Sequence, residues 1–430
     1  MALTGRAALL AVAGALLVVV FRDAVAMLIV DVAIACAIFV DLTLAASLSK
    51  LAVTRSGDTK VQLGQTGTVT VTIVNNGKRR LIGLVRDGWR PSAGAQPARA
   101  TVTLPASRRV GITTTLTPTR RGDVAAGPLT VRSLGPLGLA GRQRNLQAPW
   151  TVRVLPGFLS RKHLPEKLAR LRELDGQHKS LIRGQGSEFD SLRPYVLGDD
   201  VRSIDWRSSA RRADVLIRTW RPERDRRIVI VLDTGRGSAG RVGGITRLDA
   251  SMDAALLLTA LAVRAGDRVD LIAADRRVRA RVVGAGRHEV LAAITNEMAV
   301  LESDLVDPDI TLMAASVLGV ARQRCLVVLM TDLNPAAISQ GLLPHIQLLS
   351  SRHKVLVAAV ADPRITEMAT ARDDLTAVYD AAAATKAQAD RVQVSARLRR
   401  YGVEIVDAPP ERLAPALADA YLSLKAAGRL

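Results

Sequence analysis

The sequence predicts a multidomain protein with an N-terminal two-helix transmembrane hairpin, an immunoglobulin-like β-sandwich and a C-terminal α/β domain with a mostly parallel, doubly wound sheet. Two apolar runs stand near the N-terminus. Apolar and polar residues then alternate over about one hundred residues, and after them buried apolar strands alternate with helical segments. At 430 residues the chain is long enough for two or three domains.

The first 50 residues are predicted to form the hairpin. The apolar runs cover residues 7–21 and 24–47, and the second is interrupted only by Asp31 and Asp41. Because about 20 helical residues cross a bilayer, both runs are expected to span it, with the turn at Arg22 and Asp23. The alternative is a cleaved signal peptide, since residues 24–26 read Ala-Val-Ala.

Basic residues at the ends of these runs predict their orientation. Arg6 precedes the first run, and Lys50 and Arg55 follow the second. Both ends of the hairpin are therefore expected on the cytoplasmic side of the inner (cytoplasmic) membrane, with the soluble domains in the cytoplasm. Cys36 and Cys325 are then expected to be unpaired thiols in a reducing compartment.

The charges suggest which partners the chain has. A formal net charge of +20 is spread along the soluble part without a concentrated basic reading element. This pattern favours the lipid bilayer as a partner, and no nucleic acid is expected. In the second run Asp31 is expected to face the other helix, a partner or water, whereas Asp41, nearer the membrane surface, is expected to be solvated.

Residues 51–156 are predicted to form the β-sandwich. The stretch "TVTVTIVNNG" at 68–77 alternates Thr with Val and Ile and ends in a turn signal, and similar stretches follow at short intervals. Some seven antiparallel strands of immunoglobulin type are expected. Residues 157–186 are then expected to be a linker containing one amphipathic helix.

Residues 226–430 are predicted to form the α/β domain. The segments "RIVIVLD", "CLVVLMTD" and "KVLVAAVAD" read as buried strands between helices, and "VDLIAADRRVRARVV" as a hairpin that supplies one antiparallel edge. Asp233 and Asp332 stand where the first and fourth strands end. Open α/β sheets place their ligands at the carboxyl ends of strands, so these two carboxylates are candidate site residues.

This arrangement resembles a von Willebrand factor A domain. In that family the first loop reads Asp-x-Ser-x-Ser and binds Mg²⁺ with a Thr and a second Asp. Here the loop reads "DTGRGSAG", so Asp233 and Asp332 match the family's ligands, whereas Gly235 and Gly237 stand at the two Ser positions. Since Mg²⁺ needs six oxygens, the resemblance implies a degenerate metal-ion-dependent adhesion site, and no cofactor is expected. Serine at both glycines is expected to restore Mg²⁺ binding.

The segment at 187–225, here called the clamp segment, contains "GSEFDSLRPYVLGDDVRSIDWRSSARRADVLIRTW". Together with the anchor, the sandwich and the A-like domain, it resembles family 58 of the domains of unknown function over nearly the whole chain. A departure is Gly135, where the family commonly carries Asp before Pro. The resemblance implies a membrane-anchored partner of MoxR-type AAA+ ATPases that helps to assemble or mature other proteins.

The clamp segment is expected to be a structural clamp or a partner-binding surface. Asp199 or Asp200 is expected to cap a helix at 201–210, Ile204 and Trp206 to pack, and "ADVLIRTW" to add a strand to the A-like sheet. A network of paired charges is expected among its polar residues. The candidate residues of this surface are Asp190, Arg193, Tyr195, Asp199, Asp200, Asp205, Trp206 and Arg211.

The function expected from these features is that of a membrane-tethered adaptor that binds a MoxR-type AAA+ ATPase or its client, and not that of an enzyme. The alternative is a metal-dependent hydrolase that uses the carboxylates from Asp190 to Asp205. No His lies between His178 and His288, and no phosphate-binding loop motif is present, so the alternative has little support in the sequence.

Overall fold

The structure is a computed structural model that describes residues 2–21, 24–181, 188–212, 214–221, 226–335 and 338–430. The chain forms two compact units, Met1–Leu155 and Pro156–Leu430. The N-terminal helices therefore belong to the same unit as the β-rich region, and the segment after residue 156 belongs with the α/β region.

The first unit contains two helices and eleven strands among the described residues. In chain order they are β1 (Ala2–Leu3), α1 (Gly5–Phe21), α2 (Ala24–Leu44), β2 (Leu51–Gly57), β3 (Lys60–Gln62), β4 (Gly67–Asn75), β5 (Leu81–Arg86), β6 (Ala100–Leu104), β7 (Arg109–Leu116), β8 (Gly122–Ala125), β9 (Leu129–Leu134), β10 (Ala140–Leu146) and β11 (Thr151–Leu155).

The two N-terminal helices contact each other. Gly14 of α1 allows this approach, since a Cβ there would lie 2.8 Å from Cγ1 of Val30 and 3.0 Å from Cδ1 of Ile34. In the described part of the chain, one helical segment, Met27–Lys50, is long and apolar enough to cross a membrane. Helix α1 has 17 residues and is shorter than a usual span. The expected turn at residues 22 and 23 lies outside the described residues.

The strands of the first unit form three sheets. Their orders are β1-β10-β9-β5-β6, β2-β4-β7 and β3-β11-β8. Alternate residues of β4 face the core, so that Val69, Val71 and Ile73 are fully buried. The expectation of seven strands, all antiparallel, was wrong, because ten strands lie between residues 51 and 155 and β3 runs parallel to β11.

Asp41, near the end of α2, is buried in the first unit and not solvated. Its Oδ1 accepts a hydrogen bond from the backbone N–H of Leu137 at 2.7 Å, and its Oδ2 accepts from Leu139 and Ala140 at 2.7 and 2.8 Å. The expectation for Asp41 was therefore wrong, because the loop before β10 supplies donors that replace water. Asp31 is exposed on α2.

Gly135 begins the loop that binds Asp41. A Cβ at this position would overlap the carboxylate and the carbonyl oxygen of Asp41. Family 58 commonly carries Asp at the position of Gly135. In this chain the carboxylate beside that position comes from Asp41 of α2.

The described helices and strands of the second unit include the six strands of one large sheet. They are α3 (Leu164–Leu181), β12 (Glu188–Pro194), α4 (Trp206–Arg212), β13 (Leu216–Arg221), β14 (Arg227–Asp233), α5 (Arg236–Ala239), β15 (Arg241–Val242), β16 (Ile245–Thr246), α6 (Arg247–Arg264), β17 (Arg268–Ala274), β18 (Val278–Val282), α7 (Val290–Ala299), α8 (Ile310–Val320), β19 (Leu326–Met330), α9 (Leu343–Arg352), β20 (Lys354–Val360), α10 (Pro363–Thr370), α11 (Leu375–Arg400), β21 (Glu404–Ala408) and α12 (Pro410–Ala426).

The six-stranded sheet has the order β18-β17-β14-β19-β20-β21. Strand β18 is antiparallel to β17, and the other neighbours are parallel. Along β14, Ile228 and Ile230 belong to one hydrophobic cluster with Tyr421 of α12, whereas Val229 belongs to another with Leu398 of α11. Since neighbouring side chains of a strand point to opposite faces, helices cover both faces of this sheet.

Helix α3 belongs to the second unit. Leu171 is buried in the cluster that contains Tyr421, and Leu164 and Leu168 pack against that cluster. Helix α3 is thus the amphipathic helix predicted in the linker, and these three leucines attach it to the α/β region.

Candidate functional site

The carboxyl ends of the central strands form a small polar cleft, here called the strand-end cleft. Asp233 is the last residue of β14, and Asp332 stands two residues after β19, the neighbouring parallel strand. The parallel pairing therefore brings the two predicted carboxylates to the same edge of the sheet. The cleft is lined by Gly237, Ser238, Arg247, Ser251, Thr331, Asp332 and Val360.

Asp233 is buried and bonded to uncharged donors. Its Oδ1 accepts from the backbone N–H of Gly235 at 2.7 Å, and its Oδ2 accepts from the hydroxyl of Thr331 at 2.6 Å. Burial raises the pKa of this carboxyl, and the nearby charges of Asp332 and Asp275 raise it further, against the lowering effect of the two hydrogen bonds.

Asp332 is held by two arginines. Nη1 of Arg247, the first residue of α6, lies 2.8 Å from its Oδ2, and Nη1 of Arg391, from α11, lies 3.2 Å from its Oδ1. Arg391 also binds the carboxylate of Asp407 in β21 through two contacts of 2.6 and 2.7 Å. Both oxygens of Asp332 thus already have a cationic partner from the chain itself.

The hydroxyl groups of the first loop are used inside the protein. Ser238 donates to the backbone carbonyl of Asp233 at 2.6 Å, and Thr234 donates to Oδ2 of Asp275 at 3.0 Å. Asp275 also accepts from Arg279 at 2.5 Å. The hydrogen bonds of Asp275 lower the pKa of its carboxyl, against the effect of its burial.

This donor set does not suit a divalent cation. Mg²⁺ requires oxygen ligands in octahedral geometry, whereas the outer carboxylate, Asp332, faces two guanidinium groups. Among the described residues, no group of three or more His, Cys, Asp or Glu side chains could hold a metal ion. The degenerate metal site at Asp233 and Asp332 stays a prediction.

The structure also bears on the two glycines of the loop. A Cβ at Gly235 would lie 2.8 Å from the carbonyl oxygen of Val306 and 3.0 Å from Cδ of Pro308, so serine does not fit there without a backbone shift. At Gly237 a Cβ would lie 3.4 Å from Cβ of Asp332, and serine fits after a small adjustment. Serine at both Gly235 and Gly237 is therefore not expected to restore Mg²⁺ binding, contrary to the expectation from the sequence.

The clamp segment forms its own two-stranded sheet. Among the described residues, β12 and β13 pair with each other in an antiparallel two-stranded sheet, so the expectation that the later strand joins the central sheet was wrong. Asp200 caps the 3₁₀ turn Val201–Ser203 by accepting from the N–H of Arg202 at 3.0 Å. The helix expected at 201–210 is instead this turn followed by α4.

Two separate ion pairs stand where one charge network was expected. Asp199 accepts from Arg193 at 2.6 and 2.8 Å, and Asp205 accepts from Arg218 at 2.8 Å and from the N–H of Ser208 at 2.9 Å. The bond from Arg193 lowers the pKa of Asp199, and the bonds from Ser208 and then Arg218 lower that of Asp205. Both carboxylates are therefore held in the charged form.

The remaining clamp candidates have different surroundings. Tyr195 is half-buried, and its backbone N–H donates to the carbonyl of Val215 at 2.8 Å. Trp206 is 69% exposed, so the expectation that it packs was wrong. Arg211 is exposed and makes no ion pair with a described carboxylate, and the side chain of Asp190 lies outside the described residues.

A protein-family model matches the part of the chain that contains the strand-end cleft and most of the clamp segment. Residues 191–404 match the family model described as "Protein of unknown function DUF58". The DUF58 match thus includes most of the clamp segment, the strand-end carboxylates Asp233 and Asp332, and Arg247 and Arg391. It stops short of the first unit, so it is narrower than the resemblance over nearly the whole chain.

About three fifths of the length of some curated proteins is also similar to part of this chain. The chain is 29% identical to uncharacterised proteins of Mycobacterium bovis and Mycobacterium tuberculosis, over 45% of this chain and 61% of theirs. The chain therefore spans about three fifths of the length of these relatives.

Solved structures match about a quarter of the chain. The CARDB domain of a Pyrococcus furiosus protein, an immunoglobulin-like neighbour, is 21% identical, with a TM-score of 0.20, and the match covers 26% of this chain and 94% of that domain. A FixG-related protein from Vibrio parahaemolyticus is 9% identical, with a TM-score of 0.17, over 24% of this chain and 96% of that one.

Sequence reasoning missed the arginines of the cleft. Arg247 begins α6, the long helix that follows the loop after Asp233. Its position near that loop in the sequence could have identified it as a candidate partner of the strand-end carboxylates. Arg391 lies 59 residues after Asp332 in the middle of a long helix. Nothing in the local pattern distinguishes it from the other arginines of that helix.

Proposed function

We propose that this protein is a membrane-tethered adaptor whose second unit binds a protein partner at the strand-end cleft and the clamp segment. The observation that carries the proposal is the state of Asp332, whose two oxygens are bonded to Arg247 and Arg391. The described residues that line this cleft offer polar groups for recognition, and their one carboxylate, Asp332, is already paired with arginines and not free to act as a base or a metal ligand.

The alternative of a metal-dependent hydrolase has less support. Such an enzyme would need several clamp carboxylates with free oxygens around one cation. Asp199 and Asp205 are instead paired with arginines, and Asp200 caps a turn. These contacts favour a structural or binding role for the described part of the clamp segment.

The class of partner is inferred from the family. The resemblance to family 58 implies a membrane-anchored partner of MoxR-type AAA+ ATPases. We therefore propose such an ATPase, or its client, as the partner of this protein. The segment Met27–Lys50 supplies the proposed tether, with α1 completing a two-helix hairpin and both units on the cytoplasmic side. In this proposal the second unit is a von Willebrand factor A-like domain that works without a metal.

The rim of the cleft offers a surface that can be altered without disturbing the core. Arg236 of α5 is 63% exposed and pairs with the equally exposed Asp307 at 2.7 Å. An exposed pair contributes little to stability, so a charge reversal at Arg236 is expected to change binding and leave the fold intact.

The test is co-purification of the tagged full chain from membranes, with Arg236→Glu as the variant and Arg324→Glu as its control. Arg324 is also exposed but precedes β19, at the opposite end of the strands. We expect the natural chain and Arg324→Glu to recover the same AAA+ ATPase, and Arg236→Glu to recover several-fold less. Recovery of no reproducible partner by the natural chain would remove the main support for the adaptor.

A further inference from the structure

The connection between β12 and β13, residues 195–215, exposes an unusual amount of apolar surface. Leu197 is 96% exposed, Trp206 69%, Val201 61% and Val196 60%. Soluble surfaces carry single exposed apolar residues, but four large ones within eleven consecutive residues point to an interaction site.

Arginines flank these apolar residues. Four of them are exposed and make no ion pair with any carboxylate that the structure describes, namely Arg202, Arg207, Arg211 and Arg212. Arg193 and Arg218, at the base of the same hairpin, are by contrast engaged with Asp199 and Asp205. The connection therefore presents both apolar side chains and uncompensated positive charge.

An anionic lipid surface matches this combination. Trp and Leu side chains enter the boundary between headgroups and acyl chains, and arginines next to them bind the lipid phosphates. The chain also contains Met27–Lys50, which is long and apolar enough to cross a membrane, so the connection belongs to a chain that is tethered near a bilayer in the proposed function. Tethering increases the local concentration of the lipid surface.

A second exposed apolar group in the same unit has the opposite charge environment. Leu375 and Tyr379, at the start of α11, are 74% and 72% exposed. Their neighbours Asp373, Asp374 and Asp380 are exposed carboxylates. Anionic lipid would repel this group, which makes it a matched control for the connection.

We propose that the connection between β12 and β13 is a docking element for anionic lipid, which inserts Leu197 and Trp206 at the headgroup boundary and binds phosphates through Arg202, Arg207, Arg211 and Arg212. The protein partner of the proposed function would then contact the rest of the clamp segment and the strand-end cleft. It would hold the second unit against the membrane. The inference rests on the proposed tether but not on the identity of any protein partner.

The test uses the full chain with Leu197→Cys in a Cys36→Ser background, labelled with an environment-sensitive NBD fluorophore. Cys325 is buried, and burial raises the pKa of its thiol to about 12, so it stays unlabelled. The protein is placed in nanodiscs of phosphatidylcholine alone, or of about three parts phosphatidylcholine to one part phosphatidylglycerol. We expect a blue shift and an intensity gain of about twofold or more in the anionic discs, which high salt reduces.

Two controls make the result decisive. The same label at Leu375→Cys should not respond to phosphatidylglycerol. Replacing Arg202, Arg207, Arg211 and Arg212 together by Gln should abolish the gain at position 197 while the apolar residues remain.

Equal, water-like emission at position 197 in both kinds of disc would overturn the proposal. A shift that appears only when an acidic protein is added would also overturn it and would assign the connection to a protein partner. Failure of the co-purification test would leave this measurement unaffected, so the two proposals can fail separately.

Discussion

Two regions of the molecule hold carboxylates in different ways. In the first unit, Asp41 is fully buried and accepts three backbone hydrogen bonds, two from the loop before β10 and one from Ala140, the first residue of β10. In the second unit, Asp332 is about one-fifth exposed and is held by the side chains of Arg247 and Arg391. Backbone donors have fixed positions, whereas arginine side chains can change rotamer.

The difference indicates what each region can do. Asp41 joins α2 to the loop before β10 and to the first residue of β10 through three backbone hydrogen bonds. Under the proposed function, Asp332 would exchange one arginine for a group on a partner while the sheet stays folded. We therefore propose a structural role for the first region and a recognition role for the second, and the following experiments test that contrast.

The largest expected effect is that of Asp41→Asn. The amide replaces one charged acceptor by a donor that faces backbone N–H groups, and hydrogen bonds to charged groups contribute about 1.5 to 3 kcal/mol each. We expect the free energy of unfolding of the first unit to fall by about 3 kcal/mol. Hydrogen exchange at the amides of Leu139 and Ala140 would measure it, and Asp31→Asn, at an exposed position of the same helix, should change it little.

If Asp41→Asn leaves the exchange of both amides unchanged, the structural role of Asp41 is contradicted. Equal effects of Asp31→Asn and Asp41→Asn would also remove the contrast, because the burial of Asp41 would then contribute nothing.

A smaller loss is expected for Arg391→Met. The substitution leaves Asp332 and Asp407 near each other without their shared cation, and their side chains are only 18% and 27% exposed. We expect a loss of about 2 kcal/mol, reduced from the cost of breaking a fully buried pair. Hydrogen exchange in β19 and β20 would report it, with Arg397→Met as an exposed control on the same helix. Equal stability of the two variants would contradict the role given to Arg391.

The substitution Asp233→Asn is expected to stabilise the second unit modestly at neutral pH. The folded-state pKa of Asp233 is raised, chiefly by burial, so the folded protein binds this proton more tightly than the unfolded chain does. The stabilising contribution is thus present below the unfolded pKa, about 3.9, and is lost as the pH rises through the folded pKa.

Asparagine removes this dependence on pH. The difference in melting temperature between Asp233→Asn and the natural chain should therefore grow as the pH rises from about 3.9 towards neutrality. The exposed control Asp373→Asn should show no such trend. A variant that is less stable at every pH would show that the charge of Asp233 is needed by the fold.

The smallest expected effect is that of Mg²⁺. A ligand stabilises the folded state by RT ln(1 + [L]/Kd), and the two arginines around Asp332 oppose a cation, so millimolar Mg²⁺ should leave the melting temperature unchanged. Arg247→Ala frees one oxygen of Asp332 and should respond more than the natural chain. Saturable stabilisation of the natural chain would contradict this account of the cleft.

Local patterns were enough to predict several features of the fold. The apolar run at 24–47 indicated the membrane-length helix, and the buried strands indicated that Asp233 and Asp332 stand at strand ends. Both are consequences of short-range periodicity, since a helix or a strand is formed by residues close in sequence. The clamp hairpin was harder to predict. Its two strands pair with each other and not with the central sheet. The exposure of Trp206 depends on which residues of the folded chain pack next to it.

By itself the sequence determined the order of the elements and the chemistry available at the strand ends, including the two glycines in the first loop. The tertiary structure alone decided which groups meet those carboxylates. Arg391 reaches Asp332 from 59 residues away, and the loop that binds Asp41 lies 96 to 99 residues after it. Such contacts follow from the packing of a long helix beside one strand and a loop beside another, and no spacing in the chain encodes them.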